Sequence, residues 1–154
     1  MEFHGRLMFP ALAATDRDAV LAELGNAVIN AGFAHGDYVN ALQEREAQFP
    51  TGLPISGGVA IPHTSSEYVT TNTIACATLT QPVTFHEMGD DESEVEVSTV
   101  FMLVVADGQQ QVKVLSSLVK KLRDAEFVTG LREAPDAQSM KRILVTYSNN
   151  RGND

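Results

Sequence analysis

Apolar positions along the chain follow two different periods. In three segments, at about residues 16–31, 37–47 and 109–124, apolar side chains recur every three or four positions, which is typical of amphipathic helices. Shorter runs between these segments alternate residue by residue or are continuously apolar, which is typical of strands. Helices and strands that alternate along a chain predict an α/β sandwich.

Capping residues and apolar stripes define the predicted helices. Thr15 or Asp16 can cap the first helix, which should end near Gly32, and Asp136 can cap the last. The inner face of the second helix is predicted to comprise Tyr38, Ala41 and Leu42. The third helix has the clearest stripe, which is predicted to comprise Val112, Val114, Leu115, Leu118, Val119 and Leu122. A short helix at 125–132, interrupted by Gly130, and a polar, frayed tail from about residue 148 complete this part of the chain.

Prolines are predicted to limit the strands, because proline has no backbone N–H for a sheet. A first short strand at 7–9 should be cut by Pro10, and an alternating strand at 71–79 should be broken by Pro82. Residues 83–85 can start another short strand. The acidic stretch 87–96 is interpreted as a solvated loop, and the apolar stretch 97–106 as a central strand that is covered on both faces.

Length and composition are those of an ordinary globular protein. The 154 residues suit a single domain, with 44% hydrophobic and 20% charged residues. No apolar run approaches the roughly 20 residues of a membrane span, and the N-terminus lacks the pattern of a signal peptide. We therefore expect a cytoplasmic protein. Cys76, the single cysteine, cannot form an internal disulfide, which agrees with a reducing compartment.

The net charge is −9, from 11 basic and 20 acidic residues. A nucleic-acid partner is disfavoured, because binding to a phosphate backbone requires clustered lysine and arginine. An acidic surface instead suits a basic protein partner.

The candidate chemistry lies in residues 49–64, where a loop with two prolines and three glycines precedes the apolar run Val-Ala-Ile at 59–61. Pro62 should end that strand, so His63 is presented from a loop at the strand end. Gly57 and Gly58 are predicted to let the backbone pack closely against whatever the imidazole holds. The alternative is that His63 is a hydrogen-bonded polar residue at a strand end with no role in chemistry.

Three runs resemble the phosphorylation-site signature of enzyme IIA of the fructose/mannitol type, from the bacterial phosphotransferase system: Ala-Leu-Gln-Glu-Arg-Glu at 41–46, Phe-Pro-Thr-Gly at 49–52 and Val-Ala-Ile-Pro-His at 59–63. The resemblance covers roughly residues 19–147 and is greatest to the galactitol-specific branch. It implies one enzyme IIA domain over 1–154, with a mixed central sheet flanked by helices on both faces.

The resemblance also implies a function. The chain would accept a phosphoryl group on His63 from the small carrier HPr and pass it to a cysteine of enzyme IIB. Enzyme IIC at the membrane would then take up and phosphorylate galactitol or a related sugar alcohol. Neither a cofactor nor a metal is implied. The alternative is a regulatory module of the same fold, whose phosphorylation controls partner proteins in nitrogen-related or transcriptional regulation. The sequence leaves open the ring nitrogen that reacts and the acceptor that orients it.

Two further site residues are implied by the same resemblance. Arg45 matches an arginine that lies beside the active histidine, where its planar fork can bind phosphoryl oxygens. Alternatively, Arg45 is a surface residue favoured by the helix dipole. Gln111 stands where mannitol-type members carry a second histidine, so we expect its amide to donate a hydrogen bond to the phosphate. Alternatively, Gln111 is only an exposed residue of the helix N-terminus.

The remaining candidates have simpler interpretations. His4 is interpreted as a residue of the chain terminus, His35 as part of a turn between helices, and His86 as a surface residue of a loop beside acids. No pair of histidines has metal-ligand spacing. Cys76 is predicted to be a buried structural thiol in the middle of a strand. Thr64 follows the active histidine where many family members have a small residue, which leaves the details of the pocket open.

Overall fold

The computed structural model describes residues 1–151, which form five α-helices and five β-strands. The helices are α1 (Arg17–Asn30), α2 (Tyr38–Gln48), α3 (Gly108–Leu122), α4 (Ala125–Glu133) and α5 (Ala137–Arg151). The strands are β1 (Met8–Leu12), β2 (Gly52–Leu53), β3 (Val59–Ala60), β4 (Thr73–Glu87) and β5 (Asp90–Val104). Two short 3₁₀ helices lie at Gly5–Leu7 and Ser66–Tyr68.

The strands form one mixed sheet in the order β1-β4-β2-β3-β5, in which β4 and β5 also pair directly as a long antiparallel hairpin. Strand β1 runs parallel to β4, and β3 runs parallel to β5. The short strands β2 and β3 pair antiparallel with each other and join β4 to β5. Because β3 adds to the buried part of β5, the residues that follow it are held against the centre of the sheet.

The alternation along β4 and β5 creates two cores, one on each face of the sheet. Ala75 and Met102 pack with α1 and α2, whereas Cys76 and Phe101 pack with α3, α4 and α5. Successive side chains of a strand point to opposite faces, so a strand between two helical layers is apolar on both. The expected α/β sandwich with helices on both faces is confirmed.

Two predictions that prolines end strands are wrong. Strand β1 continues through Pro10 to Leu12, and β4 continues through Pro82 to Glu87. In both places the pairing register shifts, between Phe9 and Leu12 in β1 and between Thr78 and Val83 in β4. A proline fits such an irregularity because the local ladder does not need its missing N–H.

The acidic stretch 87–96 was predicted to be a loop, but this prediction is wrong. The stretch forms the outer end of the β4–β5 hairpin, with its turn at Gly89. Glu94 and Glu96 are exposed, whereas Val95 and Val97, which alternate with them, are buried. The stretch therefore reaches solvent through one face of a strand. The loop prediction considered only the number of acids and not the alternation of Glu94, Val95, Glu96 and Val97, which is typical of a half-buried strand.

The predicted helices require three corrections. Helix α4 is not interrupted at Gly130 but continues through it. Helix α5 continues through Ser148 to Arg151, so the tail that was expected to be frayed is helical as far as residue 151. Residues 152–154 lie outside the described part of the chain. Val112 was predicted to face inward but is 64% exposed. The buried stripe of α3 comprises Val114, Leu118 and Leu122. No helix within residues 1–151 is both long and apolar enough to cross a membrane.

Candidate functional site

His63 lies just beyond β3, at the end of a segment that is anchored to the sheet. Ile61 and Pro62 are buried, and the Pro62 carbonyl accepts a hydrogen bond of 3.0 Å from the backbone N–H of Leu103 in β5. The side chain of His63 is half-buried. The predicted placement of this histidine, in a loop directly after a short strand, is therefore confirmed.

The imidazole of His63 is oriented by its own backbone. Nδ1 lies 2.9 Å from the carbonyl oxygen of Ile61. A carbonyl oxygen only accepts, so Nδ1 carries the proton and the lone pair of Nε2 is free. The acceptor that the sequence left open is thus the Ile61 carbonyl.

The environment of His63 favours the neutral ring. Burial lowers the pKa of its imidazole below the usual value, and the positive charge of Arg45 lowers this pKa further. The hydrogen bond to Ile61 acts in the opposite direction and is outweighed. A lowered pKa keeps the imidazole unprotonated near neutral pH, which is the form that can act as a nucleophile.

Arg45 lies in the last turn of α2, exposed and near enough to His63 to affect its pKa. Its guanidinium lies over the ring of Phe49, 4.4 Å from the ring centroid, and Phe49 is 56% exposed. Within the described chain, Arg45 forms no ion pair with a carboxylate. Its donors are therefore available to an anion, while the cation–π contact restricts where the guanidinium lies.

Gln111 reaches the same loop from α3. Its Nε2 donates a hydrogen bond of 2.9 Å to the carbonyl oxygen of Thr64, the residue that follows His63. Gln111 is half-buried, so it is not a freely exposed residue of the helix N-terminus. Thr64 is itself buried, and its hydroxyl lies 3.4 Å from the Ala41 carbonyl of α2. The loop after His63 is thus bonded to both α2 and α3.

The sequence did not identify a buried acid behind the site. Glu46 is 1% exposed, and one of its carboxylate oxygens accepts hydrogen bonds from the backbone N–H of Thr51, at 2.9 Å, and from the Thr51 hydroxyl, at 2.8 Å. The available signal was the spacing of four that joins Tyr38, Leu42 and Glu46 on the inner face of α2. That spacing places Glu46 in line with two core residues.

The two glycines before β3 lie close to other parts of the protein. Gly57 and Gly58 have φ of +82° and +89°, which favours glycine. A Cβ on Gly58 would overlap the carbonyl oxygen of Glu96, and a Cβ on Gly57 would press on the guanidinium of Arg132. The close approach that needs glycine is therefore between this loop and β5, at Gly58, and the predicted packing against a group on His63 stays a prediction.

The other candidates lie elsewhere. The ring of His4 packs against Phe33, and Nδ1 of His86 lies 2.7 Å from the Asp91 carbonyl, within the β4–β5 hairpin and not in a loop as predicted. Cys76 is a fully buried residue of β4, in agreement with the predicted buried thiol in a strand, and burial raises the pKa of its thiol. Among residues 1–151, no group of three or more His, Cys, Asp or Glu side chains is placed to hold a metal ion.

The arrangement suits the transfer of an anionic group. The neutral imidazole of His63 presents a free Nε2, and the guanidinium of Arg45, which has no carboxylate partner, can neutralise an anion. The amide of Gln111 supports the loop that follows His63. Phe49, whose ring lies under the guanidinium of Arg45, is an exposed apolar side chain at this place.

Comparisons with known proteins agree with this chemistry. A family profile described as "Phosphoenolpyruvate-dependent sugar phosphotransferase system, EIIA 2" matches residues 2–146. The galactitol-specific EIIA component of Escherichia coli (strain K12) is 35% identical over 133 residues, which cover 86% of this chain and 87% of that protein.

Solved structures show the same fold. Enzyme IIA in the complex of mannitol enzymes IIA and phosphorylated IIB from Escherichia coli superposes with a TM-score of 0.76, at 20% identity, over 94% of this chain and 99% of that one. The nitrogen regulatory protein IIA-Ntr from Neisseria meningitidis superposes with a TM-score of 0.72, at 24% identity, over 92% and 95% of the two chains.

Proposed function

Because the chain belongs to the EIIA 2 family of the phosphoenolpyruvate-dependent sugar phosphotransferase system, we propose that His63 is the residue on which it carries phosphate. EIIA components are phosphotransferases that hold a phosphoryl group on histidine and pass it to EIIB. The observation that carries the assignment is the hydrogen bond from Nδ1 to the Ile61 carbonyl, which leaves Nε2 free, in a ring whose pKa the charge of Arg45 lowers.

The proposed reaction has two transfers. In the first, the Nε2 lone pair attacks the phosphorus of phosphorylated HPr, and the N–P bond to the donor histidine breaks as the new N–P bond forms. In the second, the thiolate of an enzyme IIB cysteine attacks the same phosphorus, and the Nε2–P bond breaks with its electron pair returning to the ring. The proton on Nδ1 stays on His63 throughout, where the Ile61 carbonyl stabilises the positive charge that develops on the phosphorylated ring.

Arg45 and Gln111 have supporting roles in this proposal. The guanidinium of Arg45 binds the equatorial oxygens of the phosphoryl group while it passes between nitrogen and its partner. Gln111 uses one amide hydrogen to hold the Thr64 carbonyl, and its second hydrogen can meet a phosphoryl oxygen. An amide adds no charge, so Gln111 contributes less than the arginine.

We further propose HPr as the donor, enzyme IIB as the acceptor, and enzyme IIC as the indirect partner at the membrane, with the transfers in the cytoplasm. The structure of mannitol enzyme IIA in complex with phosphorylated enzyme IIB supports enzyme IIB as the acceptor, because the two enzyme IIA chains share a fold. The 35% identity to a galactitol-specific component supports galactitol or a related sugar alcohol as the transported sugar. The regulatory alternative has no such support, since the likeness to IIA-Ntr at 24% identity is one of fold.

Phosphorylation of purified protein tests the proposal. Incubation with phosphoenolpyruvate, enzyme I and HPr should place one acid-labile, alkali-stable phosphate on the chain, which a galactitol enzyme IIB should then remove. His63→Ala should abolish the label, and His86→Ala, which changes a histidine of the β4–β5 hairpin, should keep it. Label that persists on His63→Ala would reject the assignment.

A further inference from the structure

The carboxylate of Glu46 is almost fully buried and has no part in the proposed transfer steps. Both its oxygens lie within hydrogen-bond distance of the Thr51 hydroxyl, at 2.8 and 3.0 Å, and one also accepts from the Thr51 backbone N–H at 2.9 Å. Burial raises the pKa of Glu46, while the bonds from Thr51 and the charge of Arg17 lower it. A buried acid that receives two donors from one residue fixes that residue closely.

Thr51 connects this carboxylate to the strand that ends at the active histidine. Its hydroxyl oxygen lies 3.2 Å from the backbone N–H of Ile61, and its carbonyl oxygen lies 3.3 Å from the same N–H. A hydroxyl has one hydrogen, and when the carboxylate takes it, a lone pair of the hydroxyl oxygen is directed at Ile61. Glu46 therefore sets the direction in which Thr51 accepts.

The Ile61 carbonyl lies between two anchors. On one side the Ile61 N–H is held by Thr51, and on the other the Pro62 carbonyl is held by the N–H of Leu103. The carbonyl between them accepts the proton of Nδ1 of His63 at 2.9 Å. Its position sets both the orientation of the imidazole and the ring nitrogen that carries the proton.

We propose that Glu46 and Thr51 are positioning residues, which hold the Ile61 carbonyl so that the His63 ring keeps its proton on Nδ1 and presents Nε2. This inference rests on the proposed function of His63, but it concerns the unphosphorylated ring. It can therefore be measured without any transfer partner.

Nitrogen NMR of the imidazole in the full chain tests the proposal, because it reports which ring nitrogen is protonated. Wild-type protein should show His63 protonated mainly on Nδ1. Thr51→Val removes the hydroxyl and should shift the ring towards the Nε2-protonated form, and the rate of transfer from phosphorylated HPr should fall about tenfold to a hundredfold through misorientation. Glu46→Gln should change the His63 tautomer and the transfer rate in the same direction but by less, because its amide oxygen still accepts one hydrogen bond. Thr51→Ser keeps the hydroxyl, so the His63 tautomer and the transfer rate should stay close to those of wild type.

A matched control separates positioning from stability. Thr73→Val also removes a buried hydroxyl, one that donates 2.8 Å to the Glu2 carbonyl, and it should leave the His63 tautomer as in wild type. An unchanged tautomer in folded Thr51→Val and Glu46→Gln would overturn the proposal, whatever the transfer rate. Failure of both variants to fold, judged by circular dichroism, would also overturn it, since the pair would then serve the fold. Failure of the proposed function would look different: wild-type protein would take up no label on His63.

Discussion

Replacement of Arg45 by alanine should slow phosphoryl transfer and raise the pKa of His63, with little effect on the fold. The guanidinium forms no ion pair within the described residues and rests over the exposed ring of Phe49. A hydrogen bond to a charged group contributes about 1.5–3 kcal/mol. Because Arg45 is exposed and screened by water, we expect the lower value, about 1.5 kcal/mol. Since about 1.4 kcal/mol corresponds to a tenfold rate, transfer should slow about tenfold.

The stability of the variant should change by much less. The cation–π contact with Phe49 is at the surface, and such contacts contribute about 0.5–1 kcal/mol. A slow variant that unfolds at nearly the wild-type temperature would therefore separate the role of Arg45 in transfer from any role in folding.

The pH dependence gives a second measurement with a definite sign. Protonated imidazole cannot attack phosphorus, so the transfer rate should fall as pH falls through the pKa of His63. Burial and the charge of Arg45 both lower this pKa, so the wild-type midpoint should lie below the usual range of histidine. Without Arg45 the midpoint should move to higher pH, while burial still holds it below the ordinary value.

Rapid-quench measurement of transfer from radiolabelled phospho-HPr gives the rate, and proton NMR titration of the His63 ring gives the pKa. Arg142→Ala is the matched control, since Arg142 is an exposed arginine of α5 whose contact is to Ser139. Loss of its charge should alter neither quantity. A rate and a pKa in Arg45→Ala that equal those of the control would refute the reasoning.

Two further substitutions test the surroundings of His63. Gln111→Leu removes a neutral hydrogen bond to the Thr64 carbonyl, a loss of about 0.5–1.5 kcal/mol, so transfer should slow roughly two- to tenfold in the same assay. Wild-type speed in Gln111→Leu would contradict a role for this amide. Gly58→Ala should destabilise the protein to urea by about 3 kcal/mol or more, because its new Cβ combines positive φ with overlap on the Glu96 carbonyl. Gly89 also has a positive φ, but the space around it is open, so Gly89→Ala should lower the free energy of unfolding by only about 1–2 kcal/mol. Equal losses of stability in Gly58→Ala and Gly89→Ala would show that the overlap with Glu96 is unimportant.

Local patterns in the sequence were sufficient for much of the fold and for the position of His63 at a strand end. Asp16, which with Thr15 was one of two cap candidates before the apolar stripe, caps α1 by accepting from the Ala19 N–H at 2.8 Å. The alternation at 71–79 correctly assigned Ala75 and Cys76 to opposite faces of the sheet. Likewise, Pro62 and the short apolar run before it were enough to place His63 in a loop at a strand end. These features depend on interactions between residues a few positions apart.

Features that depend on distant partners could not be derived in this way. The acids at 87–96 form a strand because β4 supplies its ladder, and β4 passes Pro82 because the register with β5 shifts there. Val112 is exposed because the packing of α3 on the sheet selected the stripe of Val114, Leu118 and Leu122.

The candidate site shows the same division between local and distant information. The sequence by itself determined a histidine at a strand end, with an arginine and an amide as candidates to assist it. Only the tertiary structure decided that Gln111 of α3 donates to the Thr64 carbonyl and that Thr51, ten residues before Ile61 in the chain, holds the Ile61 N–H. The physical reason is that a side chain's hydrogen-bond partner and burial are set by which elements pack together, and no local period encodes that choice.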